Sequence, residues 1–301
     1  MKEGGGFIGL GAMGKWMALN MLKAGFAMRV YDIDPAPVQF LVSQGAVAAT
    51  SPADVAGQVD WIFLSLPDTD VVEAVIFGEA GIVEGARPGL ILIDLSTISY
   101  LPTLEINRRL QEKGLRFADA PVSGMEARAK EAQITVMFGG DEGLFRTMKP
   151  ALAAIGDQIV HMGPVGSGQL AKLVNNLLFN ISCAGLAEVL PMAARLGLDP
   201  EKVAQVVTTG TGRSFAADFF IPRTLENDFA EGYPIRKAYK DLISAAEIAS
   251  HRAIPLPVVN AATVTFQMAL AGGFGDLGKG GLIRVFEKMC GTEFRKKRKT
   301  E

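Results

Sequence analysis

Residues 7–32 read FIGLGAMGKWMALNMLKAGFAMRVYD, and this stretch decides the fold of the first half of the chain. It carries the pattern Gly-x-Gly-x-x-Gly at Gly9, Gly11 and Gly14, between a short apolar strand and an amphipathic helical run. A second apolar segment ends at Asp32, roughly 20 residues beyond the middle glycine. Strand, glycines, helix, strand and acid in this order predict a dinucleotide-binding βαβ unit.

The three glycines have separate roles in such a unit. Gly9 permits the tight turn, Gly11 lets the backbone approach the pyrophosphate, and Gly14 lets helix and strand pack closely. Asp32 favours NAD over NADP, because a carboxylate accepts hydrogen bonds from a free ribose diol and repels a 2′-phosphate. We expect the whole loop to contact the cofactor, namely Gly9, Leu10, Gly11, Ala12, Met13 and Gly14.

Strands and helices continue to alternate up to the middle of the chain. Apolar strand patterns cover residues 59–66, 90–95, 116–120, 134–140 and 159–162, and helical patterns cover residues 71–77, 104–113 and 142–152. This alternation predicts an α/β Rossmann domain with a doubly wound, mainly parallel sheet. Three dipeptides follow predicted strands, where parallel sheets bind ligands: Leu66-Pro67, Ser96-Thr97 and Ser123-Gly124. Ordinary turn chemistry is the alternative explanation for each.

Residues 166–197 read GSGQLAKLVNNLLFNISCAGLAEVLPMAARLG and predict one unusually long helix. Lys172 and Asn176 are four residues apart and therefore share one face of it. Burying a lysine and an asparagine among apolar neighbours costs free energy, so we expect them to have a function or a hydrogen-bonding partner. The alternative is that Lys172 extends along a surface face into solvent.

The second half of the chain is predicted to be all-α. Helical patterns cover residues 200–208, 215–225, 235–252, 257–271 and 280–289. We therefore expect an NAD-binding domain at residues 1–163 and an all-helical substrate and oligomerisation domain at residues 164–291, joined by the long interdomain helix. Residues 292–301 are predicted to form a solvated basic tail; a nucleic-acid role for it is only weakly supported.

The composition argues against several classes of function. The chain has 301 residues, of which 49% are hydrophobic and 21% charged, and its net charge of −2 indicates neither nucleic-acid nor membrane-surface binding. Two isolated cysteines suggest a reducing, cytoplasmic compartment, and the two isolated histidines argue against a metal site. The first residues do not resemble a signal peptide, and no uninterrupted apolar run reaches about 18 residues.

Four stretches together resemble the β-hydroxyacid dehydrogenase family, which includes 3-hydroxyisobutyrate dehydrogenase. They are FIGLGAMG at 7–14, DAPVSG at 119–124, GSGQLAKLVNN at 166–176 and KDL at 240–242. The resemblance implies an active site between the two domains and a homodimer or homotetramer. It implies that Lys172 is catalytic with Asn176 beside it, and that the substrate or cofactor is held by Ser123, Gly124, Ser96, Thr97, Lys240, Leu66 and Pro67.

The residues support the implied chemistry independently. Oxidising an alcohol requires removal of the hydroxyl proton, and a lysine in an apolar cleft has its pKa lowered toward working pH. Short hydroxy acids are the expected substrates, with NAD as cofactor.

Two departures from the family pattern bear on the substrate. Met125, Arg128 and Ala132 stand where the family usually has more glycines. The segment Gly212-Arg213-Ser214-Phe215 resembles the corresponding segment of 2-(hydroxymethyl)glutarate dehydrogenases, and Arg213 is expected to pair with a distal polar group of the substrate. The alternative for Arg213 is a surface or interdomain salt bridge.

Three other functions fit the sequence less well. A 6-phosphogluconate dehydrogenase-like enzyme would pair its catalytic lysine with a nearby histidine, which Lys172 lacks in the sequence. An imine-reducing relative usually lacks the lysine. A non-catalytic NAD-binding scaffold is supported only by the basic tail.

Overall fold

The structure, a computed structural model, describes residues 2–296, with the side chains of residues 2 and 3 left out. The chain divides into two compact units, residues 1–172 and 173–301. We call them the Rossmann unit and the helical unit.

The Rossmann unit alternates strands and helices. In chain order its elements are β1 (Lys2–Ile8), α1 (Gly14–Lys23), β2 (Phe26–Tyr31), α2 (Pro35–Ser43), β3 (Val47–Ala48), α3 (Pro52–Ala56), β4 (Trp61–Leu64), α4 (Thr69–Phe77), α5 (Ile82–Gly85), β5 (Ile91–Asp94), α6 (Tyr100–Gln111), β6 (Arg116–Asp119), β7 (Val122–Ser123), α7 (Met125–Lys130), β8 (Ile134–Gly139), α8 (Glu142–Leu152) and β9 (Gly156–Gly163).

Over the described residues these strands form one nine-stranded sheet in the order β3-β2-β1-β4-β5-β6-β8-β7, with β9 paired to β8. The pairs from β3 to β6 are all parallel, whereas β8 runs antiparallel to β6 and β7. The predicted doubly wound, mainly parallel sheet is confirmed. Parallel pairing brings the carboxyl ends of β1, β4, β5 and β6 to one edge, which positions the candidate site.

The glycines of the first strand have a packing reason. β-branched residues would be more usual in a strand than Gly4-Gly5-Gly6. A Cβ on Gly5 would lie 1.9 Å from the Trp61 ring, and a Cβ on Gly6 would lie 2.4 Å from Val55. The indole on the neighbouring strand β4 thus fills the space that a side chain on β1 would need.

Helix α9 (Ser167–Arg195) begins in the Rossmann unit and continues through Pro191 without interruption. The boundary between the units lies after Lys172, further along the chain than the predicted 163/164. By length and hydropathy alone α9 is able to cross a membrane, with a mean hydropathy of 1.6 in its most apolar window. This is weak support for a membrane span, because 39% of that window is buried within the protein and core helices meet the same criteria.

The helical unit contains the rest of α9 and five further α-helices within the described range, namely α10 (Pro200–Thr209), α11 (Phe215–Leu225), α12 (Ile235–Arg252), α13 (Pro257–Ala271) and α14 (Ile283–Cys290), with a 3-10 turn at Lys279–Leu282. Its core includes a phenylalanine cluster in which Phe179 stacks on Phe220 and Phe219 packs edge-on against Phe220. The predicted all-α second half is confirmed.

The described part of the C-terminal segment is packed rather than solvated. Phe294 is fully buried, and Arg295 makes a bidentate ion pair with the buried Glu287 at 2.6 and 2.9 Å. The prediction of a solvated tail was therefore wrong for Arg295, because its charge is paired inside the helical unit. The remaining basic residues of that prediction, Lys297 to Lys299, lie outside the described residues.

Candidate functional site

The glycine loop between β1 and α1 leaves room for a phosphate. A Cβ on Gly9, which has a φ of +92°, would lie 2.3 Å from the Ser65 carbonyl oxygen, and one on Gly14 would lie 1.9 Å from the Gly9 carbonyl oxygen. A Cβ on Gly11 would meet no heavy atom within 4 Å. Gly9 and Gly14 are thus required because the backbone around them leaves no room for a side chain, whereas the space beside Gly11 is open to a ligand.

The N-terminus of α1 suits an anion. The helix has no side-chain cap and no acidic residue in its first turn. No acidic side chain of this turn therefore accepts hydrogen bonds from its first N–H groups or neutralises the positive end of the helix dipole. Together with the open space beside Gly11, this arrangement fits the pyrophosphate of a dinucleotide.

Asp32 lies directly after β2, and its carboxylate is held by backbone amides. The N–H of Leu10 donates to Oδ2 at 2.5 Å, and the N–H of Asp34 donates to Oδ1 at 2.8 Å. The first bond joins the carboxylate to the glycine loop, so the acid expected to bind ribose and the loop expected to bind phosphate form one structural element.

The loops after β4 and β5 are hydrogen-bonded to each other. The N–H of Leu66 donates to Oγ of Ser96 at 2.9 Å, and the N–H of Ser96 donates to Asp94 at 2.9 Å. Pro67 is exposed, and Thr97 is half-buried. The four predicted residues Leu66, Pro67, Ser96 and Thr97 therefore lie on adjoining loops at the carboxyl edge of the sheet.

Gln169, in the first turn of α9, attaches that helix to the second of these loops. Its Nε2 donates to the Ser96 carbonyl oxygen at 2.8 Å, and its Oε1 accepts from the N–H of Ile98 at 3.2 Å. Thr97 lies between the two residues that Gln169 bridges. Lys172 follows three residues later, on the same face of the helix as Gln169.

Asp119 caps the start of α9 from the end of β6. Its two carboxylate oxygens accept from the N–H groups of Gly166 at 2.6 Å and Gln169 at 2.7 Å. Burial raises the pKa of Asp119 to about 6, although these amide hydrogen bonds oppose the shift. At neutral pH the carboxyl group is therefore ionised, and both oxygens can accept.

In the helical unit, Asn176 is held by an aspartate on α12. Its Nδ2 donates to Oδ2 of Asp241 at 3.0 Å, and Asp241 is buried. Lys240, the preceding residue on α12, is half-buried. Asn176 and Lys172 are one turn apart on α9.

Ser123 and Gly124 form the turn between β7 and α7. Gly124 has a φ of +152°, and a Cβ there would lie 2.9 Å from Ile134. Met125 and Ala132 have φ values of 59° and 55°, so both hold the left-handed conformation that favours glycine. The chain thus keeps a glycine-like backbone at these two positions and adds a side chain to each.

Arg213 is exposed and forms an ion pair with Asp218 at 2.9 Å within the helical unit. This is the surface salt bridge that the sequence offered as the alternative to a substrate contact. Arg128, which also departs from the family pattern, pairs with Asp157 at 3.7 Å and is likewise exposed.

Two family profiles match the chain, and together they cover most of it. The profile described as "NAD binding domain of 6-phosphogluconate dehydrogenase" matches residues 5–163, and the one described as "NAD-binding of NADP-dependent 3-hydroxyisobutyrate dehydrogenase" matches residues 166–286. The chain belongs to the β-hydroxyacid dehydrogenase family.

Similar proteins of this family cover nearly the full chain. A 2-(hydroxymethyl)glutarate dehydrogenase of Eubacterium barkeri is 38% identical over 288 residues, covering 95% of this chain and 96% of that protein. A 2-hydroxy-3-oxopropionate reductase of Escherichia coli is 34% identical, covering 95% and 97%. A solved 3-hydroxyisobutyrate dehydrogenase of Mycobacterium tuberculosis superposes with a TM-score of 0.85 at 29% identity, covering 94% and 99%.

The chain is accordingly an NAD(P)-dependent oxidoreductase that acts on hydroxy acids. The predicted family and enzyme class are confirmed, and these relatives give no support to a non-catalytic scaffold. Among the described residues no group of three or more His, Cys, Asp or Glu side chains is arranged to hold a metal ion.

Three residues that hydrogen-bond to predicted site residues, or to the segments that carry them, were not assigned a role from the sequence. Asp119, Gln169 and Asp241 all lie inside the motifs that carry the family resemblance. Their motif membership was a signal of importance. Their roles depend on partners distant in the sequence, which only the fold brings together.

Proposed function

We propose that this β-hydroxyacid dehydrogenase interconverts a short hydroxy acid and its semialdehyde or oxo acid, with Lys172 as general acid and base. The observation that carries the proposal is the Gln169 bridge. It ties the first turn of α9, one turn before Lys172, to the loop at the carboxyl edge of the dinucleotide-binding sheet. A lysine there is held beside the edge where a nicotinamide is expected.

The proposed chemistry divides between cofactor and protein. When bound, the cofactor accepts a hydride from the substrate carbon. Lys172 accepts the hydroxyl proton as the C–O bond gains double-bond character, and in reduction it returns a proton to the developing alkoxide. We propose that Asn176 positions Lys172 and substrate, and that Ser123 and Gly124 hold the substrate carboxylate.

The remaining polar residues are proposed to complete the site. Thr97 and Lys240 would lie beside nicotinamide and substrate, with Leu66, Pro67 and Ser96 along the cofactor. Arg213 would serve a second carboxylate of the substrate only if its ion pair with Asp218 opened.

We propose that NAD rather than NADP is the cofactor. Asp32 would face the 2′-position of the ribose, where two like charges 4 Å apart repel by about 4 kcal/mol at an effective dielectric constant of about 20. We expect kcat/KM for NAD to exceed that for NADP by about 100-fold or more. Asp32→Asn should reduce this ratio by at least about 10-fold, because the neutral amide keeps the shape and loses the repulsion.

The ratio of the two kcat/KM values is the appropriate measurement, because any damage to the glycine loop affects both cofactors. Asp34→Asn is the matched control: Asp34 caps α2 through the N–H of Ala36, and asparagine caps equally well. A wild-type enzyme that prefers NADP, or an unchanged ratio in Asp32→Asn, would show that Asp32 does not select the cofactor.

The substrate is proposed to be a short hydroxy acid of the kind that the family resemblance and the relatives' names suggest. A panel of 3-hydroxyisobutyrate, 4-hydroxybutyrate, tartronate semialdehyde, L-serine and 2-(hydroxymethyl)glutarate should include at least one that changes the absorbance of reduced nicotinamide. The absence of turnover with every compound and both cofactors would count against the proposal.

We further propose a cytoplasmic homodimer or homotetramer assembled through the all-helical domain predicted at residues 164–291, with residues 1–163 as the NAD-binding domain. Support comes from apolar side chains exposed along α9, namely Val174, Leu178, Val189 and Met192. Sedimentation equilibrium should give two or four times the 32.0 kDa chain mass. A single-chain mass at micromolar concentration would exclude the assembly.

A further inference from the structure

Helix α7 in the Rossmann unit follows directly on the turn that is proposed to hold the substrate carboxylate. A Cβ on Gly124, in that turn, would lie 3.1 Å from the Cβ of Arg128 on α7 and 2.9 Å from Ile134. The backbone of Gly124 therefore lies against a side chain of the helix. A displacement of α7 would displace Ser123 and Gly124 with it.

The sequence of α7 does not hold the helix in place by itself. Met125 at its start and Ala132 just beyond its end have φ values of 59° and 55°, a left-handed conformation that only glycine adopts without steric cost. With six residues, α7 is also far shorter than a helix that is stable alone in water. Contacts with the rest of the Rossmann unit must therefore keep α7 in position.

Helix α1 supplies such contacts through two side chains. The Nε1 of Trp16 donates to Oε1 of Glu126 at 3.0 Å, and the Nδ2 of Asn20 donates to the carbonyl oxygen of Ala129 at 2.8 Å. The two donors are one turn apart on α1, and the two acceptors are one turn apart on α7. The hydrogen bonds thus join one face of each helix.

One of these hydrogen bonds is buried and the other lies at the surface. Asn20 is 8% exposed, and Ala129 is fully buried in the apolar core. An unpaired amide at that depth would cost free energy, so the bond to Ala129 is strongly favoured. At the surface, Lys130 pairs with Glu126 at 3.0 Å, and its Nζ lies 4.8 Å from the centre of the Trp16 ring.

We propose that Asn20 and Trp16 are positioning residues for the substrate: they fix α7 against α1, and α7 fixes the turn of Ser123 and Gly124 that binds the carboxylate of the hydroxy acid. This inference rests on the proposed function of that turn. Helix α1 begins at the glycine loop, so the helix proposed to bind the cofactor pyrophosphate at its N-terminus also sets the position of the substrate turn.

The first test separates substrate binding from turnover. Asn20→Leu removes a donor and keeps a side chain of similar shape. It should raise KM about 3- to 10-fold for the hydroxy acid of the panel that turns over fastest, as expected for the loss of one hydrogen bond. The kcat and the Kd for NAD should change less than about 2-fold, because the proton-transfer residue and the glycine loop are unaltered.

Variants at the surface bond repeat the test where folding is less at risk. Trp16→Phe removes the indole donor and should also raise KM. Glu126→Gln keeps an oxygen that accepts from the indole and should have a KM close to wild type, whereas Glu126→Leu should resemble Trp16→Phe. Combining Trp16→Phe with Glu126→Leu should raise KM little further than either change alone.

Trp61→Phe is the matched control for Trp16→Phe. The Trp61 ring packs against Phe26 and Phe63 in the core beside β4. This variant should lower the melting temperature without raising KM, which shows that loss of stability alone does not weaken substrate binding.

Trypsin cleavage supplies a readout that does not depend on turnover. Helix α7 contains two exposed cleavage sites, Arg128 and Lys130. Cleavage at these sites should be about 5-fold faster in Asn20→Leu than in wild type, while cleavage after Arg146, an exposed residue on α8 of the same unit, should be unchanged. Mass spectrometry of the fragments identifies the cleaved bonds.

Three results would overturn the inference: a wild-type KM in both Asn20→Leu and Trp16→Phe, a loss of kcat with unchanged KM, or unchanged cleavage after Arg128 and Lys130. Failure of the proposed function looks different. In that case the wild-type protein would turn over none of the hydroxy acids, although the variants would still show faster cleavage of α7.

Discussion

Replacing Lys172 with alanine should lower kcat by about 100- to 10,000-fold, the usual contribution of a general acid or base. The proton of the substrate hydroxyl then has no acceptor, and hydride departure would leave an unneutralised charge. The Kd for NAD should stay within about 2-fold of wild type, because the glycine loop and Asp32 are unaffected. Stopped-flow hydride transfer and fluorescence titration of NADH measure the two quantities separately.

Further variants distinguish whether Lys172 transfers a proton or supplies only a positive charge. Lys172→Arg keeps a positive charge that does not deprotonate, so it should be as inactive as the alanine variant if proton transfer is the role. Added methylamine should partly restore turnover to Lys172→Ala only. Lys202→Ala, an exposed lysine on α10, serves as the control and should leave kcat unchanged. Full activity in Lys172→Arg would indicate a purely electrostatic role.

Gly11→Ala should weaken cofactor binding and leave the fold intact. The new methyl group would meet no protein atom within 4 Å, so unfolding should be unchanged. It would occupy the space through which the pyrophosphate approaches the amides of α1. Losing hydrogen bonds to a charged group costs about 1.5–3 kcal/mol, which corresponds to roughly a 10- to 100-fold higher Kd for NAD. Isothermal titration calorimetry and thermal melting measure both effects.

The control for Gly11 is a glycine that also has room for a methyl group but lies outside the glycine loop. A Cβ on Gly185, on α9, would likewise meet no heavy atom within 4 Å. Gly185→Ala should leave the Kd for NAD unchanged and stabilise the helix by about 0.5–1 kcal/mol. Gly14→Ala should instead destabilise the protein, since its methyl group meets the Gly9 carbonyl. If Gly11→Ala bound NAD normally, the cofactor would not approach this loop as proposed.

Several elements could be located from the sequence because their boundaries carry local signals. Helices α8, α11, α12 and α13 have the predicted boundaries. Asp141 caps α8 and Ser214 caps α11, each with its own side chain. The short helices α2 and α3 were not predicted, although Asp34 and Ser51 each precede a proline in the capping pattern. In both cases the cap was visible, but α3 has only five residues and α2 consists largely of apolar residues, so neither shows a clear apolar period.

Other features depend on contacts that no local pattern contains. The sequence around Lys279, Gly-Lys-Gly-Gly, is typical of an exposed loop, yet the lysine is buried against Asn180. Likewise, Arg295 belongs to a basic run that predicts a solvated tail, but Glu287 pairs with it in the interior. In both cases the charge is buried because a partner elsewhere in the chain compensates its desolvation.

The remote cap on α9 has a consequence for the order in which the chain folds. The carboxylate that receives the amides of Gly166 and Gln169 lies 47 and 50 residues earlier in the chain. Before Asp119 is in place, the first turn of α9 can form only with the N–H groups of Gly166 and Gln169 lacking this acceptor. A contact across so many residues requires the intervening chain to be ordered first. The long helix therefore gains its fixed beginning only after strand β6 has joined the sheet. A partly folded species would carry Lys172 without holding the start of α9 in place, so the proton transfer that we propose for Lys172 would require the complete fold.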